Sequence, residues 1–249
     1  MSQAWLCIPS ARPPEEAGKV LKLWKERGYK IALWRDGDCN EIDYGFNVGQ
    51  GINLKVTACE YPGYAEAVNR LIVNAVYKDP SAEWFIAAGD DTEPDPNHSA
   101  EEIAAECFEH FSGTFGVMQP TGDRWHEGVG GFTNAPIDRV AGSAWYGREY
   151  CRRMYRGKGP LWHEFDHMFV DEHAQCVAQK LGVLWQRRDL VQRHSHWGRG
   201  DTDKALVRDP VIPPHLVKWN TREHWDKSKA IFERLKAGGF AEAADLLTG

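Results

Sequence analysis

No C-x-x-C pair occurs in this 249-residue chain; its six cysteines (Cys7, Cys39, Cys59, Cys107, Cys151 and Cys176) are scattered. That argues against a thiolate zinc site or a disulfide scaffold and for a reducing compartment. No run approaches the ~18 apolar residues of a membrane span. The opening Met1-Ser2-Gln3-Ala4-Trp5 lacks the basic start and apolar core of a signal peptide. The expectation is a soluble, cytoplasmic protein. G-x-x-x-x-G-K-[ST] is absent and no G-x-G-x-x-G follows the first expected strand, so neither common phosphate loop is present. There is no internal repeat or low-complexity tract. A surplus of positive charge is missing too: 30 Lys and Arg face 36 Asp and Glu, a net −6. The chain is not a generic polyanion binder, although net charge hides local patches.

The hydrophobic share is 42%, ample for a packed core, and eleven tryptophans are many for this length. Residues 4–8 read as a short apolar strand. Pro14, Glu15 and Glu16 suit a first helical turn. Ala17, Val20, Leu21 and Trp24 follow a helical period that Gly28 stops. Tyr29 to Trp34 is a second strand, so the chain opens as a parallel strand–helix–strand crossover. A short strand near 52–56 precedes a helix marked by Tyr64, Val68, Leu71, Ile72, Ala75 and Val76, and a strand at 83–88 follows. Ser99 to Glu102 is a capping box. Then come a strand at Thr114–Met118, an irregular glycine-rich stretch at 119–142, a helix ending at Leu181-Gly182, and strands at 183–186 and near 190–196. A polar wrap at 198–220, a helix at 221–237 and a short final helix at 240–247 complete the order. The alternation predicts an α/β fold, a mostly parallel sheet covered on both faces. Residues 1–200 form its domain and 201–249 a C-terminal helical extension packed on it.

The most informative stretch is Trp84-Phe-Ile-Ala-Ala-Gly89-Asp90-Asp91-Thr-Glu-Pro-Asp-Pro-Asn97. A buried strand running into two aspartates sets them at the carboxyl edge of a sheet, where open α/β folds bind ligands. Adjacent carboxylates repel unless a cation sits between them and a partner. A hard divalent ion carrying a diphosphate satisfies that need; a polar turn of ordinary turn formers is the plain alternative. His194 and His196 are two apart, so on a strand both face one side, as metal ligands or as a polar edge.

These residues together resemble the GT-A glycosyltransferases, especially the family-2-like group of compact phage and bacterial type. The resemblance runs from residue 4 to about 200. Pro9-Ser10-Ala11-Arg12 looks like the loop that receives the nucleotide base. Gly63 with Asn69 looks like the G…N helix before the family's D-x-D, and Gly89-Asp90-Asp91 looks like the D-x-D itself. Val170-Asp171-Glu172 looks like the E-D element, and His194-Ser195-His196 like the C-terminal metal histidine. Gly142 to Gly147, with Trp145 and Tyr146, resembles the glycine loop against sugar and acceptor. Two departures stand out: Gly89 replaces the first Asp of D-x-D, and Val170 replaces the Glu before Asp171.

The resemblance implies a nucleotide-sugar-dependent transferase using Mn²⁺ or Mg²⁺. Asp91 and either His196 or His194 would hold the metal, with Asp90 on metal or ribose. Asp171 would be the general base, or else an ordinary first-turn acid, with Asp166, Glu164 and Glu172 as competitors for its role. Pro9, Ser10, Arg12, Asp36, Gly63 and Asn69 would bind the nucleoside-diphosphate sugar. Gly142, Trp145 and Tyr146 would meet sugar or acceptor, unless the rings are core. The acceptor would be a surface glycan or, as in some phage enzymes, a hydroxymethylated DNA base. The basic runs Arg148–Lys158 and Arg187–Arg199 would then track phosphates, or else be scattered surface charge. A nucleotidyltransferase and a non-catalytic nucleotide-sugar binder are the alternatives.

Overall fold

The computed structural model describes residues 3–36, 52–58, 60–123, 143–195 and 216–246. Four parallel strands form one half of the sheet: β1 (Gln3–Ser10), β2 (Lys30–Asp36), β3 (Leu54–Ala58) and β4 (Ala82–Ala87). The other half holds β5 (Val117–Pro120), β6 (Ala144–Gly147) and β7 (Leu184–Arg187). β6 runs antiparallel to both β4 and β5, while β7 is parallel to β5. The order is β3-β2-β1-β4-β6-β5-β7.

Among the described residues six α-helices cover the two faces: α1 (Pro14–Glu26), α2 (Tyr64–Lys78), α3 (Ala100–Phe111), α4 (Arg148–Arg153), α5 (Val170–Lys180) and α6 (Arg222–Ala237). Alternation along β1 shows how the layers separate. Ala4, Leu6 and Ile8 meet the apolar stripes of α1 and α3. Trp5 and Cys7 point the other way, into a larger core with α2, α4 and α5. Phe232 and Leu235 of α6, and Ala243 of the 3-10 turn Ala241–Leu246, join that larger core. The α/β expectation therefore holds, with a mostly parallel sheet and helices on both faces. The capping box forms as read: the Glu102 amide donates to Ser99 Oγ at 3.3 Å, and the Ser99 amide to Glu102 Oε2 at 2.7 Å.

Two elements differ from expectation. The strand expected near 190–196 is, as far as residue 195, an extended segment tied by a single antiparallel bridge between Thr92 and His194. The segment 144–147, expected as part of a ligand loop, is the internal strand β6, between β4 and β5 and buried along its whole length.

The chain winds outward through β1, β2 and β3, then returns through α2 to lay β4 on the other side of β1. The connections leaving β1 and β4 thus run in opposite directions along the sheet, toward β2 and toward β5, and a crevice opens at the carboxyl ends of those two strands. Ser10 ends β1, and Gly89-Asp90-Asp91 follows β4 at that point.

Candidate active site

Asp90 ties the two sides of the crevice together. Its carboxylate is buried and accepts from Ser10 Oγ at 2.6 Å and from Arg12 Nε at 3.0 Å. Burial pushes Asp90 up from its ordinary value; the Arg12 guanidinium opposes the push, Asp91 adds to it, and the Ser10 hydroxyl lowers it again. Arg35 braces the same loop by donating to the carbonyls of Ser10 and Arg12. Asp90, Ser10 and Arg12 therefore come together as expected from their positions, with Asp90 spent on holding the β1 loop.

Asp91 turns the other way, toward His194. The Asp91 Oδ2 to His194 Nε2 distance is 3.3 Å, and both side chains are largely buried. The backbone builds this pairing. The Ser195 amide donates to Asp91 O at 2.7 Å, and the Glu93 amide to Arg193 O at 2.8 Å. The His194 amide is held by Asp123 Oδ2 at 3.0 Å. Trp24, buried in the α1 layer, donates its indole N–H to Thr92 O at 2.7 Å. Burial alone would lower the His194 imidazole, but Asp91, Asp123 and Asp171 raise it. A pocket that favours a proton on imidazole is one that attracts positive charge.

Gly89 explains the departure from D-x-D. A Cβ there would lie 2.5 Å from Asp91 Oδ1, so the Asp91 carboxylate folds over the bare glycine. Asp95 is a contributor the sequence reading passed over as a turn former. It is fully buried and accepts from the amides of Asn97 (2.8 Å), His98 (2.9 Å) and Val191 (2.7 Å), and it pairs with His98 Nδ1 at 2.9 Å. Through Val191 it pins the His194 segment to the Asp91 loop.

The third component is Asp171, in the first turn of α5. Burial raises its carboxyl to about 7, Glu172 adds to the rise and His194 opposes it. Some solvent still reaches the side chain. Asp171 in turn raises the phenols of the half-buried Tyr64 and the buried Tyr146, whose main push is desolvation. Asp91 acts on Tyr64 as well, so Asp91, His194, Asp171 and Tyr64 share one electrostatic neighbourhood.

Other expected site residues sit elsewhere. Trp145 is fully buried, edge-on to Tyr29, and donates to Gln192, whose amide oriented to suit both neighbours accepts at 3.0 Å and donates to Ser143 Oγ at 2.6 Å. Tyr146 is equally buried on the opposite face of β6, against Tyr150. Neither ring is exposed for stacking on a sugar, because each points into one of the two cores packed on the faces of the sheet. Asn69 spends its amide on the backbone of Leu161, at 2.7 and 3.0 Å. Gly63 has φ +96, and a Cβ there would crowd the Asp166 backbone at 3.0 Å. Asp166 pairs through its side chain with Lys227 (2.5 Å) and His224 (3.5 Å) of α6. Pro9 is partly exposed at the end of β1, and Asp36 closes β2. Gly142, His196 and the side chain of Asp36 lie outside the described residues.

The donor set suits a hard divalent ion. A carboxylate oxygen and an imidazole nitrogen 3.3 Å apart are close to the ~3 Å between neighbouring ligands in an octahedral shell with bonds of ~2.1 Å. Among the described residues no cluster of three or more His, Cys, Asp or Glu side chains is set to hold an ion. A two-ligand protein site leaves positions for phosphate oxygens and water, which is how such ions usually sit with nucleotides.

No protein-family description matches the chain, and no curated protein matches it. Solved structures do. Glucosyl-3-phosphoglycerate synthase from Mycobacterium tuberculosis, in complex with Mn²⁺, uridine diphosphate and phosphoglyceric acid, is similar over 74% of this chain and 68% of its own, at 12% identity and TM-score 0.49. The catalytic domain of Drosophila β1,4-galactosyltransferase 7, in complex with xylobiose, is similar over 78% and 71%, at 12% identity and TM-score 0.45. A nucleotide-diphospho-sugar transferase, so described by name only, from Desulfovibrio desulfuricans G20 is similar over 78% and 84%, at 9% identity and TM-score 0.36. These likenesses carry no activity across; the functional reading rests on the residues themselves.

Proposed function

We propose that the protein transfers a sugar from a nucleoside-diphosphate sugar to an acceptor hydroxyl, with Mn²⁺ or Mg²⁺ held by Asp91 and His194. The observation that carries the reading is a division of labour at the switch between β1 and β4. A cation-seeking carboxylate–imidazole pair stands beside a second carboxylate, Asp171, poised at about 7. Environments that set neighbouring groups to different tasks mark acid–base sites.

An ion held by Asp91 and His194 would supply charge stabilisation to a departing diphosphate. Arg12, braced by Asp90, adds positive charge at the end of β1. Asp171 accepts the proton of the attacking acceptor hydroxyl, since a base tuned near the working pH is ionised yet still proton-hungry. Tyr64 and Tyr146 line its surroundings and keep it in low dielectric, which sustains that tuning. For the acceptor, a glycan hydroxyl stands ahead of a hydroxymethylated DNA base. Arg148 of the first basic run donates to the carbonyls of Val76, Asp79 and Ala82, and Arg187 of the second pairs with Glu106 and Asp189.

The test is turnover of UDP-, GDP-, CDP- and ADP-sugars with and without Mn²⁺, on wild type, Asp91→Ala and Asp171→Asn. Metal-dependent release of a nucleoside diphosphate, lost in both variants, is the expected result. Release of pyrophosphate instead identifies a nucleotidyltransferase, and binding without turnover identifies a binding protein.

A further inference from the structure

Phe169, two residues before Asp171, starts α5 with φ 64 and ψ 2. This is the left-handed region, which non-glycine residues with bulky side chains rarely occupy and which clusters at functional sites. Its side chain makes no capping hydrogen bond, so the usual reason for a residue at this position is missing. Something beyond the local chain holds the turn.

That something is the C-terminal helix. The Phe169 ring packs on Trp225 (centroids 4.7 Å apart) and Phe232 (5.6 Å) of α6. The polar contacts of the same arm land on the same stretch. Lys227 and His224 reach Asp166, and Arg234 reaches Glu164 at 2.5 Å. Beyond α6, the Glu242 carboxylate accepts from His173 Nε2 at 2.8 Å, and the Phe240 ring lies 5.5 Å from that imidazole. Residues 164, 166, 169 and 173 are all gripped by the arm, and they bracket Asp171 on both sides. Lys227 and Arg234 are more than half exposed, so their ion pairs add little to global stability. Their common target makes the grip specific to one place.

We propose that Phe169, caged by Trp225 and Phe232, is a positioning residue: the C-terminal arm fixes the left-handed turn that aims the Asp171 carboxylate into the crevice. The role of Asp171 as base rests on the transferase reading above; the grip on its turn does not. A clamp that aims one group in a reaction alters the chemical step and leaves donor binding alone.

The experiment uses the full chain with Trp225→Ala, Trp225→Phe and Lys227→Met. Each variant is examined for nucleoside-diphosphate release and for amide exchange at 170–173, where the His173 amide donates to Phe169 O at 3.0 Å. Trp225→Ala is expected to lower kcat by roughly tenfold or more with donor KM within about twofold. It should also speed exchange at 170–173 while β1 and β4 stay protected. Trp225→Phe keeps a ring on Phe169 and restores both readouts. Lys227→Met, which leaves the rings in place, lowers kcat less and keeps the variant set informative if Trp225→Ala does not fold. Unchanged exchange at 170–173, or faster exchange with wild-type kcat, overturns the proposal. A wild type without sugar transfer removes the transferase reading, and the exchange arm then decides the clamp by itself.

Discussion

Burial and the neighbouring Glu172 hold Asp171 at about 7 against the opposing pull of His194, whereas a free aspartate titrates near ~3.9. Two consequences have opposite signs. As a base Asp171 must be ionised, so kcat/KM should climb through pH 7 and fall away on the acid side. For stability the raised carboxyl is a liability. Between pH ~4 and ~7 the folded chain keeps a proton that the unfolded chain has released, so stability declines as pH rises across that window. Asp171→Asn should therefore abolish turnover and yet raise Tm at pH 8, by roughly 2–4 °C for each ~1 kcal/mol relieved in a chain of this size. Below about pH 4 the variant and wild type should melt together. A lower Tm for the variant at pH 8 would sink the assignment of a strained, buried base. Single residues of the candidate site were legible in sequence where position follows from a strand, as for Asp91 after β4. They were not legible where a side chain serves another segment. Nothing in Asn69, Asp166 or Trp145 tells that their partners are Leu161, Lys227 and Gln192.

The segment 190–195 makes no regular strand, yet it delivers His194 to Asp91, and Asp95 helps hold it there through the Val191 amide. Asp95 collects three amides and an imidazole on one buried carboxylate, two of the amides within its own turn and one from Val191, 96 residues away. Burial would raise this carboxyl, but those hydrogen bonds, the Val191 amide first, bring it below its usual value. Asp95→Ala removes the shared acceptor of these donors and should lower stability by about 1–3 kcal/mol, the range for losing a hydrogen-bonded buried partner. It should also remove the extra thermal stabilisation that Mn²⁺ gives the wild type, measured by differential scanning fluorimetry with and without metal. Retained Mn²⁺ stabilisation in Asp95→Ala would show that the Asp91–His194 pair forms without the clamp. The Asx-type turn Asp95-Pro96-Asn97 was visible in sequence, but its distant partner was not. Helices α1, α2, α3 and α5 were visible because each buries a stripe at helical spacing and has clear stop signals. β6 was invisible because four residues buried on both faces show no alternation.

Alternating strands and helices announced a parallel sheet, but not its order. The reversal between β1 and β4 and the antiparallel insertion of β6 depend on pairings between strands far apart in sequence. That reversal creates the crevice, so the location of the site followed from topology while its chemistry followed from residues. Charge distribution is likewise a property of the whole fold. In sequence the two basic runs read either as a phosphate-tracking face or as charge scattered over the surface. In the fold, Arg148 caps carbonyls at the end of α2 and before β4, Arg152 and Arg153 pair with Glu149, and Arg187 is held between Glu106 and Asp189. A net charge of −6 adds no general attraction to a polyanion. Transfer to the acceptor should therefore change by less than about tenfold between 50 and 200 mM salt, where a protein making 6–10 phosphate contacts loses about 10³–10⁵ in affinity. The measurement is acceptor-dependent nucleoside-diphosphate release across that range, with a neutral oligosaccharide and a hydroxymethylated duplex as competing acceptors. Preference for the duplex, with a steep inverse salt dependence, would overturn the glycan assignment and return the acceptor to nucleic acid.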